Sequence, residues 1–292
     1  MSVEKDLTAK VSSRPALILF ADLLGFSRRV EAANSEDERS ALAKLLNYFA
    51  EQFSGSDIED ADVRDFYAKR FWAFSDSIVI RLFEGSNAEQ SMTKFDADLD
   101  QLSSIALAQF VIMDRHGQLI RGGVAQGWLL ESDETVVGTA LVKAARLEKA
   151  IEMPFIGVEP ELYERYRNEP GRRNYSERLD PFPRVFIPPC PYTRDIPALD
   201  YLSVAYGAID LTDRQRRDAK AIQEPEAREQ FKNQCWNENH LSFIRWHRDF
   251  LTQGLNESDP KVVTKYSALG QHHNWRVSQL YPGQEDLLIN GG

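Results

Sequence analysis

Between residues 16 and 158 short apolar runs of strand length alternate with segments of helical spacing, and that order leaves few folds open. Ala16 to Ala21 reads as a buried strand, followed by a long helix from about Phe26 to Phe53 with Leu42, Leu45, Leu46 and Phe49 on one face. The acidic stretch Asp57 to Asp65 reads as a loop, and Phe66–Phe74 and Ile78–Phe83 read as a hairpin joined at Ser75-Asp76-Ser77. A helix from about Ser91 to Arg115 repeats Phe95, Leu99, Leu102, Ala106 and Phe110 at helical spacing. Leu119 to Leu129 then returns as a strand punctuated by Gly122, Gly123 and Gly127, which weaken a strand unless a backbone or a ligand approaches closely. After Val136-Val137, Thr139 is placed to cap a helix that runs to Ile151, and Phe155 to Val158 reads as a short strand. Strand, helix, hairpin, helix, strand, strand, helix, strand is the order of an α+β sandwich with helices on a largely antiparallel sheet.

Beyond this region the pattern changes. Seven of the thirteen prolines lie between Pro170 and Pro197, so that stretch reads as an irregular excursion, and Tyr201 to Ile209 reads as a strand at its end. Helical spacing resumes over Pro225–Leu255 and again from Pro260 to about Leu280. The expected division is therefore a domain over 14–165 and, over 166–292, the excursion, a strand and a helical C-terminal extension.

Two cysteines, Cys190 and Cys235, outside any metal-type spacing, exclude a disulfide framework and fit a reducing compartment. Glu4, Lys5 and Asp6 break any signal-peptide core, no apolar stretch approaches the roughly 18 residues of a membrane span, and the cytoplasm is the expected location. A net charge of -10 argues against a nucleic-acid binder, which needs clustered cations to displace counterions. His240 and His247, and the pair His272-His273, lack the further ligands of a zinc site and read as structural.

The chemistry concentrates on two carboxylates. Asp22 closes the first strand and Asp76 sits in the hairpin turn, so neighbouring strands of one sheet carry both. Carboxylates so placed can hold Mg²⁺ or Mn²⁺, hard cations that accompany phosphate substrates. Leu23-Leu24-Gly25-Phe26 opens the next helix, whose free backbone N–H groups can receive a phosphate. On the later helix Lys143 and Arg146 are three residues apart and share an edge.

In order and spacing these elements resemble the class III nucleotide cyclases, over about Leu17 to Val158, half of the chain. The carrying residues are Phe20-Ala-Asp-Leu-Leu-Gly-Phe-Ser27, the Ser75-Asp76-Ser77 turn, Arg121-Gly122-Gly123-Val124-x-x-Gly127, and Gly138-Thr-Ala-Leu-Val-Lys-Ala-Ala-Arg146. The resemblance implies a ferredoxin-like cyclase catalytic domain, two divalent cations bridged by Asp22 and Asp76 with the Leu23 carbonyl as a further ligand, and Arg146 on the phosphates. It implies a homodimer in which metal and transition-state residues come from opposite subunits. The reaction implied is attack of a ribose 3′-hydroxyl on the α-phosphate of a nucleoside triphosphate, giving a cyclic monophosphate and pyrophosphate.

Three positions depart from the family. Trp72 stands where adenylate cyclases place a base-reading Lys, Thr135 stands at the other base-reading position, and Val142 replaces the transition-state Asn, a role open to Lys143, Arg146, Arg172 or Arg173. A bulky Trp72 implies a smaller base, unless the indole is simply core. With its private C-terminal extension, the chain looks like the stand-alone pyrimidine cyclases of bacterial Pycsar anti-phage systems. That resemblance implies UTP as substrate and cyclic UMP as a signal to a separate cyclic-nucleotide-binding effector. CTP, a purine substrate, and an inactive cyclase fold that binds a nucleotide or a partner protein remain as alternatives.

Overall fold

The computed structural model describes residues 13–54, 70–74, 76–83, 86–131, 135–170 and 182–289. The Asp57–Asp65 loop, the start of the second strand at 66–69, Ser75, Arg172 and Arg173 lie outside them. The described residues pack as two compact units, one reaching Phe182 and including Ile187–Leu199, the other made of Pro183–Phe186 and the residues from Asp200 onward.

In the first unit, strand β1 (Arg14–Leu23) leads into helices α1 (Phe26–Ala32) and α2 (Glu36–Ser54), then the hairpin strands β2 (Arg70–Phe74) and β3 (Ser77–Phe83). Helices α3 (Asn87–Ser91) and α4 (Lys94–His116) precede β4 (Ile120–Glu131), β5 (Val136–Gly138), α5 (Thr139–Ile151), β6 (Ile156–Val158) and α6 (Pro160–Arg167). Helix α6 stays whole within this unit, across the expected boundary at 165/166. Strand β7 (Phe186–Ile187) falls on the division between units, and β8 (Ala198–Leu199) belongs to the first.

The sheet of this unit runs β2-β3-β1-β4-β6-β8, with β5 hairpinned onto β4. All of its registered pairs are antiparallel except β4 with β6. This is the antiparallel-rich sheet packed by helices that the sequence pattern predicts. Alternation along β1 sends Ala16 and Ile18 to one face, where they meet Val79, Ala125, Leu129 and the α5 residues Ala140 and Ala144. Leu17, Leu19 and Leu23 turn to the opposite face and are equally buried.

Helix α5 lies close on that first face because small residues meet small residues. A Cβ on Gly123 would stand 2.3 Å from the Ala144 carbonyl oxygen, and one on Gly127 would stand 2.5 Å from Thr139 Oγ1. The close approach that glycines in a strand announce is thus, at these two positions, the approach of a helix.

Three expectations are corrected. The single helix over 26–53 is two, because Ser35 and Glu38 form a capping box: Glu38 N donates to Ser35 Oγ at 3.2 Å, and Asn34 N and Ser35 N donate to the Glu38 carboxylate. The Tyr201–Ile209 segment is not a strand but helix α7 (Tyr201–Ala208), since Asp200 caps it by accepting from Ser203 N at 3.0 Å and Tyr201, Leu202 and Ala205 are buried at helical spacing. Thr139 is the first residue of α5 rather than its cap, which is Gly138, and its hydroxyl accepts from Trp128 N at 3.2 Å.

In the second unit, α7 is followed by α8 (Asp213–Ala221), α9 (Pro225–Leu255) and α10 (Pro260–Leu280), the last two over the residues predicted. Helices α9 and α10 pack on one another, with Gly254 taking the Tyr266 ring where a Cβ would meet it at 2.2 Å. His240, His247, His272 and His273 are all buried here in hydrogen bonds. Among the described residues no helix is long and apolar enough to cross a membrane.

Candidate active site

The two aspartates converge because the backbone around them is tied together. Asp22 ends β1 opposite Ser77 on β3, and the Leu23 amide donates to the Asp76 carbonyl at 2.9 Å. On its other side Asp22 faces Arg121 of β4. Residues directly opposite in an antiparallel pair project to the same face. Asp22, Ser77 and Arg121 therefore stand together on the α5 face of the sheet, one register step beyond the Phe20 row.

Ser77 Oγ donates to Asp22 Oδ1 at 3.2 Å. Burial, then the nearby Asp76 charge, push the Asp22 carboxyl up to about 6, with Glu148 adding to the rise while the Ser77 hydrogen bond and Arg121 oppose it. A carboxyl so destabilised as an anion gains most from a cation, and two acidic groups that repel one another are a donor set suited to hard divalent ions. Asp22 and Asp76 are thus a donor pair that fits Mg²⁺ or Mn²⁺, although no group of three or more His, Cys, Asp or Glu side chains is assembled for a metal among the described residues.

Residues absent from the sequence-based site complete this corner. Glu148 lies in line with Ala140 and Ala144 on the buried stripe of α5 and forms an ion pair with Arg121. A carboxylate at i+4 from a buried alanine was the signal available in the sequence, because charges seldom occupy the apolar stripe of a helix without a partner.

The other expected residues are distributed differently. The Leu23 and Leu24 amides are spent on the carbonyls of Asp76 and Leu119, so neither N–H is free for a phosphate. Gly25 takes φ +77 at the α1 N-cap, a left-handed conformation that suits glycine, and Phe26 is buried. Lys143 points elsewhere: its Nζ meets Glu159 Oε1 at 2.5 Å and the Gln126 carbonyl at 3.4 Å. Gln126 lies five residues along β4 from Arg121, roughly 16 Å away at strand rise. With Arg165 and Glu161, Lys143 and Glu159 line a separate pocket of about 300 Å³.

Trp72 is half-buried against the α5-side core, with the Arg70 guanidinium 5.5 Å from its ring centroid. Thr135 is exposed just before β5. Arg146 is exposed on α5, about 160° around the helix from Glu148. One turn before it on α5 the apolar side chain Val142 stands 48% exposed.

No family model matches this chain, and no curated protein matches it. Among solved structures it is similar to the adenylyl cyclase CyaB from P. aeruginosa, at 18% identity over 55% of this chain and 83% of that one, TM-score 0.41. An adenylate/guanylate cyclase/hydrolase from Silicibacter pomeroyi is similar at 18% identity over 65% and 95%, TM-score 0.40. The guanylyl cyclase Cya2 is similar at 15% identity over 65% and 92%, TM-score 0.34.

Proposed function

We propose that this chain is a divalent-cation-dependent nucleotide cyclase acting on a pyrimidine nucleoside triphosphate, UTP first, and releasing cyclic UMP and pyrophosphate. The observation that carries the reading is the convergence of Asp22 and Asp76 at one sheet end, where burial and then the Asp76 charge push the Asp22 carboxyl up to about 6. Bound there, Mg²⁺ or Mn²⁺ supplies Lewis-acid activation of the ribose 3′-hydroxyl and neutralises triphosphate charge. Asp22 and Asp76 hold and orient the cations, and Ser77 fixes the Asp22 rotamer through its hydrogen bond.

Arg146 offsets charge on the phosphoryl oxygens, and it does so in a second copy of the chain. Its outward position on α5 and the exposed Val142 one turn before it support a homodimer whose sites draw Asp22 and Arg146 from opposite subunits. Trp72 narrows the base pocket in favour of a pyrimidine, and cyclic UMP passes to a separate cyclic-nucleotide-binding effector in defence against phage.

Purified protein incubated with ATP, GTP, CTP or UTP, each with Mg²⁺ and with Mn²⁺, tests this by mass spectrometry of the products. Cyclic UMP that disappears with Asp22→Ala supports the reading; cyclic CMP moves the substrate to CTP, and a purine product overturns the role of Trp72. A second reading is favoured by Val142, which offers no hydrogen bond where the family has Asn, and by Lys143, which is committed to Glu159. On that reading the fold binds a nucleotide or a partner protein without turning substrate over, and metal-dependent UTP binding with no product under any condition would support it.

A further inference from the structure

The residue best placed to disable the aspartate pair belongs to the same chain. Arg121 stands directly opposite Asp22 in the β1–β4 register, and a guanidinium reaches a carboxylate across one strand spacing without strain. An Asp22–Arg121 ion pair would occupy the lone pairs that a cation needs and offset the charge that attracts it. Arg121 instead pairs with Glu148, and the Asp22 side chain takes its hydrogen bond from Ser77.

We infer that Glu148 is a positioning residue for the aspartate pair: by holding the Arg121 guanidinium against α5, it keeps Asp22 free for divalent cations. This rests on reading Asp22 and Asp76 as cation ligands. Three observations carry it. Glu148 is 4% exposed and has no route to solvent charge, so its carboxylate is anchored where it stands. It projects from the buried stripe of α5 with Ala140 and Ala144, and those alanines seat the helix on Gly123 and Gly127, so its distance from β4 is set by backbone packing. Arg121 Nε has no hydrogen-bond partner among the described residues, so the guanidinium is held by its terminal nitrogen and can turn if that hold weakens.

Replacing Glu148 by Gln keeps shape and a hydrogen-bond acceptor but removes the charge that outcompetes Asp22. The arginine then turns to Asp22, the carboxylate opposite it in the β1–β4 register, and blocks the cation. The loss is specific, because removing the arginine as well should return the site.

The test is Mn²⁺ binding to the full-length protein without nucleotide, followed by water-proton relaxation and by calorimetry, in the wild type, Asp22→Asn, Glu148→Gln and the double variant Glu148→Gln/Arg121→Gln, each checked for folding by circular dichroism. The expected result is binding by the wild type that Asp22→Asn abolishes, a dissociation constant raised roughly tenfold in Glu148→Gln, the scale of one hydrogen bond to a charged group, and recovery in the double variant. Unchanged binding in Glu148→Gln, or equal loss in the double variant, overturns the inference while leaving the aspartates as ligands. A wild type that binds no Mn²⁺ overturns the cation site itself, and the inference with it.

Discussion

His247 and His273 meet nitrogen to nitrogen, Nδ1 to Nδ1 at 2.9 Å, between α9 and α10. The surrounding bonds assign their tautomers. His273 Nε2 lies 2.9 Å from the Leu287 carbonyl and must donate to it, so its Nδ1 accepts. His247 therefore donates from Nδ1 and accepts the Tyr201 hydroxyl on Nε2, at 3.1 Å. With these assignments both rings are neutral.

Burial, then the neighbouring His273 and His272, push His247 well down; burial also brings His273 down to about 4, opposed by its bond to Leu287 and aided by His272 and Arg248. Both rings bind protons in the unfolded chain near pH 6.5 but not when folded, so their contribution to stability is complete above about pH 6.5 and is lost as the pH falls toward 4. For His273 the loss reaches about 3 kcal/mol. Melting followed by circular dichroism between pH 8 and 4 should show a steep acid decline that His273→Gln flattens; a melting temperature level from pH 7 to 5 would contradict this.

Asp22 runs the other way. Its carboxyl is raised in the folded state, so it favours folding only at low pH and opposes it once the pH rises through about 6. Asp22→Asn should therefore stabilise the cation-free protein at pH 8, by about 1 kcal/mol after allowing for screening at a partly buried group, while lowering cyclase turnover at least about 10²-fold. A lower melting temperature in chelator at pH 8 would refute the first half, and full turnover the second.

If metal and phosphate residues come from opposite subunits, Asp22→Ala and Arg146→Ala are each inactive alone but complement when mixed. At equal amounts, random pairing makes half the dimers mixed, each with one intact site, so about a quarter of wild-type activity should return. An inert mixture of well-folded proteins that do exchange subunits, as native mass spectrometry would report, argues that each site is built within one chain.

Gly123→Ala places a methyl group against the Ala144 carbonyl and Leu147 Cβ, at 2.3 and 2.6 Å. Both belong to a helix packed by its own backbone, so α5 must lift from the sheet, at about 2–3 kcal/mol. Thermal unfolding measures it directly. Gly25→Ala, where nothing lies within 4 Å but φ is +77, should cost less, about 1 kcal/mol of left-handed strain.

The sequence by itself determined the elements that local physics controls. Short apolar runs and period-3.6 spacing placed β1, the β2–β3 hairpin, α4, α5, α9 and α10, and with them the sheet-end positions of Asp22 and Asp76, because run length and helical spacing are properties of neighbouring residues. Where a local competitor was overlooked the reading failed: the Ser35–Glu38 box split one helix into two, and the Asp200 cap turned the apolar segment Tyr201–Ile209 into a helix. Only the tertiary structure decided which charged groups meet. Arg121 and Glu148 are far apart in the chain and joined by strand register and helix seating; Lys143 shares a helix with Glu148 yet pairs with Glu159. Those partnerships depend on packing between distant segments, a few ångströms of helix position over Gly123 and Gly127, and no spacing rule within one segment contains that information.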